Sequence, residues 1–380
     1  MSYLPDFTLE TYLGKWEFDA RHHMTASDAQ TMTIGELIAL AGEDALDALL
    51  AQPLSYTEPS GAPDLRAAIA ATTQTCAADD VLCFAGAEEG LYAFYRTVMG
   101  PDDHAIVVTP NYQSAEAVPM AIGAVTGVPL EEREGWTLDI NRVAAAIRPN
   151  TRIISINFPH NPTGKILERD RFDALVTLCR RHGIWLFSDE VYRLIERDPA
   201  LRLPLAADVY ERGVSLGVMS KAYGLPGLRV GWITCRDRGL LDAMVRTKHY
   251  LSICNSAPSE RLALMGLRAA EPILARTRAI AATGLAATQA FLAEYPDLFE
   301  SYMPDGGVVL YPRYTGLGDV ERFAERLVQD AGIVILPASI YRSALGPTPV
   351  DRFRIGYGRA NLAEGLAAMR AQLAAMATTP

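Results

Sequence analysis

Between residues 80 and 235 the chain alternates short, largely apolar runs with longer amphipathic ones. Residues 81–84, 105–108, 153–156, 185–187, 214–219 and 230–234 are rich in Val, Ile, Leu and aromatic side chains and too short for helices. Between them, 88–99, 114–122 and 169–181 suit helices. In the last of these, Phe172, Leu175, Val176 and Leu178 make one apolar face. Short apolar strands separated by helices predict a largely parallel sheet covered on both faces, hence an α/β fold.

After residue 255 the pattern changes. Residues 256–292 are almost all helix formers, with Pro258, Pro272 and Gly284 as apparent interruptions. Strand-like 308–311, a helix at 320–330, strands at 334–336 and 353–355, and an alanine-rich helix at 362–375 complete a second, α+β lobe. The helix joining the lobes is a plausible hinge. The first fifty residues show no strand of their own and are expected to pack on the second lobe. This divides the chain into an N-terminal segment 1–50, a large domain 51–265 and a small domain 266–380.

A length of 380 residues agrees with two lobes at roughly 150 residues per domain. The chain is 49% hydrophobic and 21% charged, ordinary values for a folded globular protein. Its net charge of −10 argues against nucleic acid as a partner, because phosphate binding draws on surplus Lys and Arg. No apolar run reaches the ~18 residues of a membrane span. Asp6 and Glu10 stand where a signal peptide would be basic and then apolar, so a cytoplasmic location is expected. The five cysteines are scattered, without Cys-x-x-Cys or Cys/His ligand spacing, and read as small buried side chains. His22-His23 lacks a third ligand at helical spacing and reads as a solvated loop; no metal site is expected.

Candidate chemistry begins with a count. The chain holds four lysines, Lys15, Lys165, Lys221 and Lys248, against thirty-one arginines. A lysine kept in so Arg-biased a chain is a candidate for use as an amine, because only lysine forms a Schiff base. Lys221 follows a predicted strand within Ser220-Lys-Ala-Tyr-Gly-Leu-Pro-Gly-Leu-Arg229-Val-Gly231. Four other polar motifs also follow predicted strands: Gly86-Ala87-Glu88-Glu-Gly90, Pro110-Asn-Tyr112, Asn157-Phe-Pro-His-Asn161-Pro-Thr-Gly164 and Ser188-Asp189-Glu-Val-Tyr192. Ligands of open α/β sheets bind at that rim. No G-x-G-x-x-G follows an early strand, which sets a dinucleotide-binding dehydrogenase aside.

Taken together, N-x-x-x-N-P-T-G, S-D-E-V-Y and S-K-x-x-x-x-x-G-x-R-x-G resemble the class I/II aminotransferases, which are fold-type I pyridoxal-phosphate enzymes. The resemblance runs from Tyr56 to Arg354. It implies a large domain with a mostly parallel mixed sheet between helices, a smaller α+β domain, and pyridoxal 5′-phosphate held on Lys221 as an aldimine. It further implies that Asp189 keeps the pyridine nitrogen protonated, that Tyr192 and Asn161 bond the phenolic oxygen, and that Tyr112 stacks on the ring. The phosphate would fall to Gly86, Ala87, Glu88, Ser220 and Arg229, with Tyr56 reaching it from the neighbouring subunit of a homodimer. Arg354, with Asn161 beside it, would grip the α-carboxylate of an amino-acid or 2-oxo-acid substrate. Arg352 and Arg359 are expected to be solvated, and Lys165 and Lys248 structural or electrostatic.

Two features qualify the resemblance. Val218 stands three residues before the lysine, where a hydroxyl contact to the phosphate would be usual, so weaker anchoring is expected. Residues 157–162, 220–232 and 306–313 look like those of capreomycidine synthase-like members, which eliminate a β-substituent and cyclise an arginine-derived amino acid. Ser188-Asp-Glu-Val-Tyr192, in contrast, keeps the ordinary aminotransferase form. A ligand-sensing regulator would carry a DNA-binding domain ahead of the motif tyrosine, and Tyr56 leaves no room for one.

Overall fold

The computed structural model describes residues 4–17 and 19–378. After a two-residue strand β1 (His22–His23) come β2 (Val81–Phe84), β3 (His104–Thr109), β4 (Ala124–Pro129), β5 (Thr151–Asn157), β6 (Trp185–Asp189), β7 (Gly213–Val218) and β8 (Gly231–Thr234). Strands β2 to β8 form one sheet in the order β2-β8-β7-β6-β5-β3-β4. Only β8 runs against its neighbours; the other pairings are parallel. This is the predicted α/β fold with a mostly parallel sheet.

The near-continuous apolar runs follow from what covers the sheet. Ile153 and Phe187 pack with Phe94 and Met244, from the helices Ala87–Val98 and Arg238–Lys248. Their chain neighbours Ile154 and Leu186 point the other way and pack with Phe172 and Leu175 of the helix Arg169–His182. Because side chains alternate along a strand, both faces must be apolar. Burying each such side chain stabilises the fold by about 1.5–3 kcal/mol. Strand β4 carried no such signal. It is an edge strand with Gly127 and Pro129, mostly half-exposed.

The expected long helix is two helices, Ala257–Arg268 and Ala270–Ala293, meeting at Ala269. Pro258 and Pro272 interrupt neither, since each lies in a first turn, where an amide N–H has no helical acceptor. Gly284 is interior because a Cβ there would lie 2.0 Å from the Tyr357 carbonyl oxygen. Beyond it lie β9 (Phe299–Glu300), β10 (Val309–Leu310), β11 (Arg313–Tyr314), β12 (Ile333–Val334), β13 (Leu336–Pro337) and β14 (Phe353–Gly356). Strand β14 is central in an antiparallel β10-β14-β13 sheet, while β9 pairs with β11. The single strand predicted at 334–336 is therefore two, serving different sheets.

The N-terminal segment departs most from expectation. It does contain a strand: β1 pairs in parallel with β12, His22 opposite Ile333 and His23 opposite Val334. His22-His23 is thus a partly buried strand and not a solvated loop, and His23 bonds Thr25 across 2.9 Å between Nε2 and Oγ1. Nor does the segment rest on the small lobe alone. In the helix Thr8–Trp16 the Tyr12 hydroxyl donates to the Ile335 carbonyl at 3.0 Å, while the Thr8 amide donates to Gln113 of the large lobe at 2.8 Å. The helix Ile34–Ala41, opened by a Thr33/Glu36 capping box, buries Leu37 in the core that holds Met219 and Leu264. Among the described residues no helix is long and apolar enough to cross a membrane. Cys83, Cys179 and Cys235 are buried, Cys76 and Cys254 partly so, and all five thiols are free.

Candidate active site

Because β2, β3, β5, β6 and β7 run in one direction, the segments after them converge on one edge of the sheet. Asp189 is the last residue of β6, and Lys221 lies three residues beyond the end of β7. The Lys221 amine donates to Ser27 Oγ at 2.8 Å and sits 5.8 Å from the centre of the Tyr192 ring. Burial pulls its pKa down to about 8; the Arg354 charge lowers it further, while Asp28 and Asp189 oppose the shift. Burial acts on Asp189 in the opposite sense, pushing it up to about 6 against a hydrogen bond from the Val191 amide and the charge of Lys221. Among the described residues Asp189 has no ion-pair partner within reach of a salt bridge.

Asn161 is held from behind, its amide N–H donating to Asn157 Oδ1 at 2.8 Å. Its own Oδ1 accepts from Arg354 Nη1 and from the Tyr341 hydroxyl, each at 3.1 Å. Arg354, on β14, is 1% exposed, and its Nη2 donates to the Thr25 carbonyl at 2.6 Å. None of these partners is a carboxylate, and Nε has no hydrogen-bond partner among the described residues. A buried cation with unspent donors is suited to a carboxylate from outside the chain. Thr25 and Ser27 are two residues apart, so one short segment holds both Arg354 and Lys221.

At the other end of the rim, Gly86 begins the helix Ala87–Val98 at φ 95°. A Cβ at Gly86 would lie 2.5 Å from Arg229 Nη2, so the glycine lets the guanidinium close over the helix start. Among the described residues no side chain caps that start, and the Arg229 guanidinium donates only to the Pro226 carbonyl, at 3.2 Å. Ser220 is buried nearby in sequence, two residues after the equally buried Val218. Glu88 accepts from Ser114 Oγ at 3.0 Å. Tyr112 is half-buried, packs at 5.2 Å on Phe7 and donates its hydroxyl to Glu10 at 3.1 Å.

Residues 35–369 match the family model described as aminotransferase class I and II. The chain belongs to that family. This aminotransferase-family chain is 31% identical to capreomycidine synthase of Streptomyces vinaceus, over 97% of this chain and 94% of that one. It is 34% identical to an arginine–pyruvate transaminase of Pseudomonas aeruginosa, over 82% and 80% of the two. In structure it is similar to a PLP-dependent aminotransferase from Streptococcus suis, with a TM-score of 0.91, 27% identity and 98% of each chain covered. It is a pyridoxal-phosphate-dependent enzyme with the fold-type I architecture. Its residues fit that cofactor. The uncapped helix start at Gly86 with Arg229 over it suits a phosphate, Asp189 forms no salt bridge among the described residues, and burial pulls the pKa of the Lys221 amine down to about 8.

Not every candidate joins the cluster. Tyr56 is 88% exposed, and no hydrogen bond among the described residues ties it to the site of its own chain. Tyr192 is buried, and its hydroxyl donates to the Ser27 carbonyl at 2.8 Å; donating to a cofactor oxygen requires exchange of that bond. Two arginines of this aminotransferase-family chain were expected in solvent and are not. Arg352 is 1% exposed, donates to the Tyr311 carbonyl at 2.7 Å, pairs with Glu132 and lies 5.1 Å from the Trp136 ring. Arg359 is half-buried and pairs with Asp28 at 2.7 Å. Lys165 pairs with Asp305 at 2.9 Å, and Lys248 is fully buried, donating to Pro59, Cys83 and Asn255. Sequence reasoning missed Thr25, Ser27 and Tyr341 altogether. They touch the site across 329, 194 and 180 residues of chain, and no local pattern marks them. Among the described residues no group of three or more His, Cys, Asp or Glu could hold a metal ion.

Proposed function

We propose that the chain is an aminotransferase moving an amino group from an L-amino acid to a 2-oxo acid in two half-reactions at this site. The observation that carries the reading is the placing of a deprotonatable amine, Lys221, and a buried, partly unspent guanidinium, Arg354, on one short segment, residues 25–27. An amino acid offers both an amine and a carboxylate to such a pair.

When bound, pyridoxal phosphate supplies an aldehyde to join amines and a ring that spreads the charge left at the substrate α-carbon. Lys221 would hold the cofactor through its amine and would serve as the base that takes and returns the substrate α-proton. A pKa of about 8 leaves part of the amine neutral near pH 7 for that work. Asp189 would keep the pyridine nitrogen protonated. The Asn161 side-chain amide would hold the phenolic oxygen, and Tyr192 would donate to the same oxygen in place of the Ser27 carbonyl. Tyr112 gives the ring a flat face. The amides of Gly86, Ala87 and Glu88, the Ser220 hydroxyl and Arg229 bind the phosphate, helped by the helix dipole. Arg354 takes the substrate carboxylate in a bidentate grip.

The same reading assigns cofactor binding to a large domain 51–265 and carboxylate recognition to a small domain 266–380, with 1–50 bridging them. It also makes the enzyme a homodimer. Tyr56 lies close in sequence to exposed Leu50 and Leu54, and Thr57 ties this stretch to the 250–255 segment, where Tyr250 and Ile253 are exposed. Apolar side chains gathered in this way favour a protein partner.

A second reading, β-elimination with cyclisation of an arginine-derived amino acid, is favoured by likeness to capreomycidine synthase over nearly the whole chain. A single-turnover test separates the two. Given a panel of L-amino acids without acceptor, a transaminase releases one 2-oxo acid per site, leaves pyridoxamine phosphate and frees no ammonia. A cyclisation catalyst forms no pyridoxamine phosphate and regenerates the aldehyde, and that result would displace the first reading.

A further inference from the structure

Tyr341 closes the 3₁₀ turn Ala338–Tyr341 and is 3% exposed. Its hydroxyl donates to Asn161 Oδ1 at 3.1 Å and accepts from Arg354 Nη1 at 2.7 Å, while Nη1 also donates to the same Oδ1 at 3.1 Å. Three side chains therefore form a closed ring of hydrogen bonds. We propose that Tyr341 is a positioning residue that orients Arg354 and Asn161 for the carboxylate of the substrate. The proposal rests on the reading that Arg354 receives that carboxylate.

The argument is one of donor accounting. A guanidinium has five N–H donors. Two, both on Nη1, are spent on Tyr341 and Asn161, and one on Nη2 is spent on Thr25. What remains lies on the Nε–Nη2 edge, where Nε is buried without a partner. Without the phenol, one Nη1 hydrogen would lose its acceptor, and the fork could swing to satisfy it. Asn161 is constrained in the same way. Two donors converge on its Oδ1, so the amide cannot flip without setting N–H against N–H, and Nδ2 stays free for the cofactor side. Burial keeps the phenol protonated and able to donate, although the Arg354 charge opposes that shift.

The ring also spans the lobes. Asn161 follows β5 of the large lobe, whereas Tyr341 and Arg354 belong to the small lobe. Two residues on, Ser343 Oγ donates to Glu116 Oε2 at 2.5 Å, on the large-lobe helix Ser114–Met120. The Tyr341 ring itself packs edge-on against Tyr311 with centroids 5.5 Å apart. Packing thus holds the ring independently of its hydroxyl, and Tyr341→Phe removes the hydrogen bonds alone.

The test uses Tyr341→Phe as holoenzyme. KM should rise about tenfold for both the amino acid and the 2-oxo acid, as suits one lost bond to a charged group, with a much smaller change in kcat. Propionate, an unreactive carboxylate, should bind about tenfold more weakly in a calorimetric titration of the folded holoenzyme. Unchanged KM values and propionate affinity, or a fall in kcat alone, would overturn the proposal while leaving the underlying reading intact. If Arg354→Ala in the parent leaves propionate affinity unchanged, that reading fails and takes this proposal with it.

Discussion

Lys221 sits in a setting that raises the free energy of its charged form, and this cost is measurable without any substrate. Its folded pKa, about 8, lies below the ordinary 10.5, so between these values the folded chain has released a proton that the unfolded chain keeps. Stability of the cofactor-free protein should therefore rise with pH across that window through this group, and below pH 8 the full cost is present. Lys221→Met removes the amine and keeps most of the apolar stem. Thermal melting of the cofactor-free variant at pH 7 should exceed that of the parent, and the difference should shrink as pH rises above 8. A variant less stable than the parent at pH 7, or a difference that grows with pH, would contradict the shift. The partners of Lys221 at this scale were only half legible. Its own motif is local and spells out Ser220, Lys221 and Arg229 in ten residues. Ser27 and Tyr341 reach the site only because distant segments fold together.

At the scale of elements, legibility followed burial. Strands β3, β5, β6 and β7 are covered on both faces, so their apolar runs were plain, and the motifs after them fell on one rim. Strand β4 lies at the edge, where pairing has one neighbour and half-exposed positions are tolerated, so no alternation marked it. Strand β1 is two residues long and is defined by its partner β12, not by its own side chains. Pro258 and Pro272 misled because proline marks a helix start as readily as a break; only the position of the first turn decides. Arg352 and Arg359 misled for a related reason. An arginine in a polar stretch reads as solvated, yet a carbonyl, a carboxylate and an indole face can together compensate its burial.

For the whole molecule, the N-terminal segment does more than cover a lobe. It pairs with β12, bonds Gln113, and supplies Thr25 and Ser27 to the site, so the site is built from distant parts of the chain. Tyr56 faces outward from the same protomer, which makes sense if a second copy receives it. Sedimentation of the holoenzyme should give about twice the 41.3 kDa chain mass at micromolar concentration. A single-chain mass there would remove the neighbouring-subunit role of Tyr56. The claim at the centre of this account is that the convergent rim of the sheet delivers one particular amine to pyridoxal phosphate. Borohydride reduction of the purified holoenzyme, followed by peptide mapping, tests it most directly. The account predicts a phosphopyridoxyl group on Lys221; a tag on Lys15, Lys165 or Lys248, or on no lysine, would contradict it.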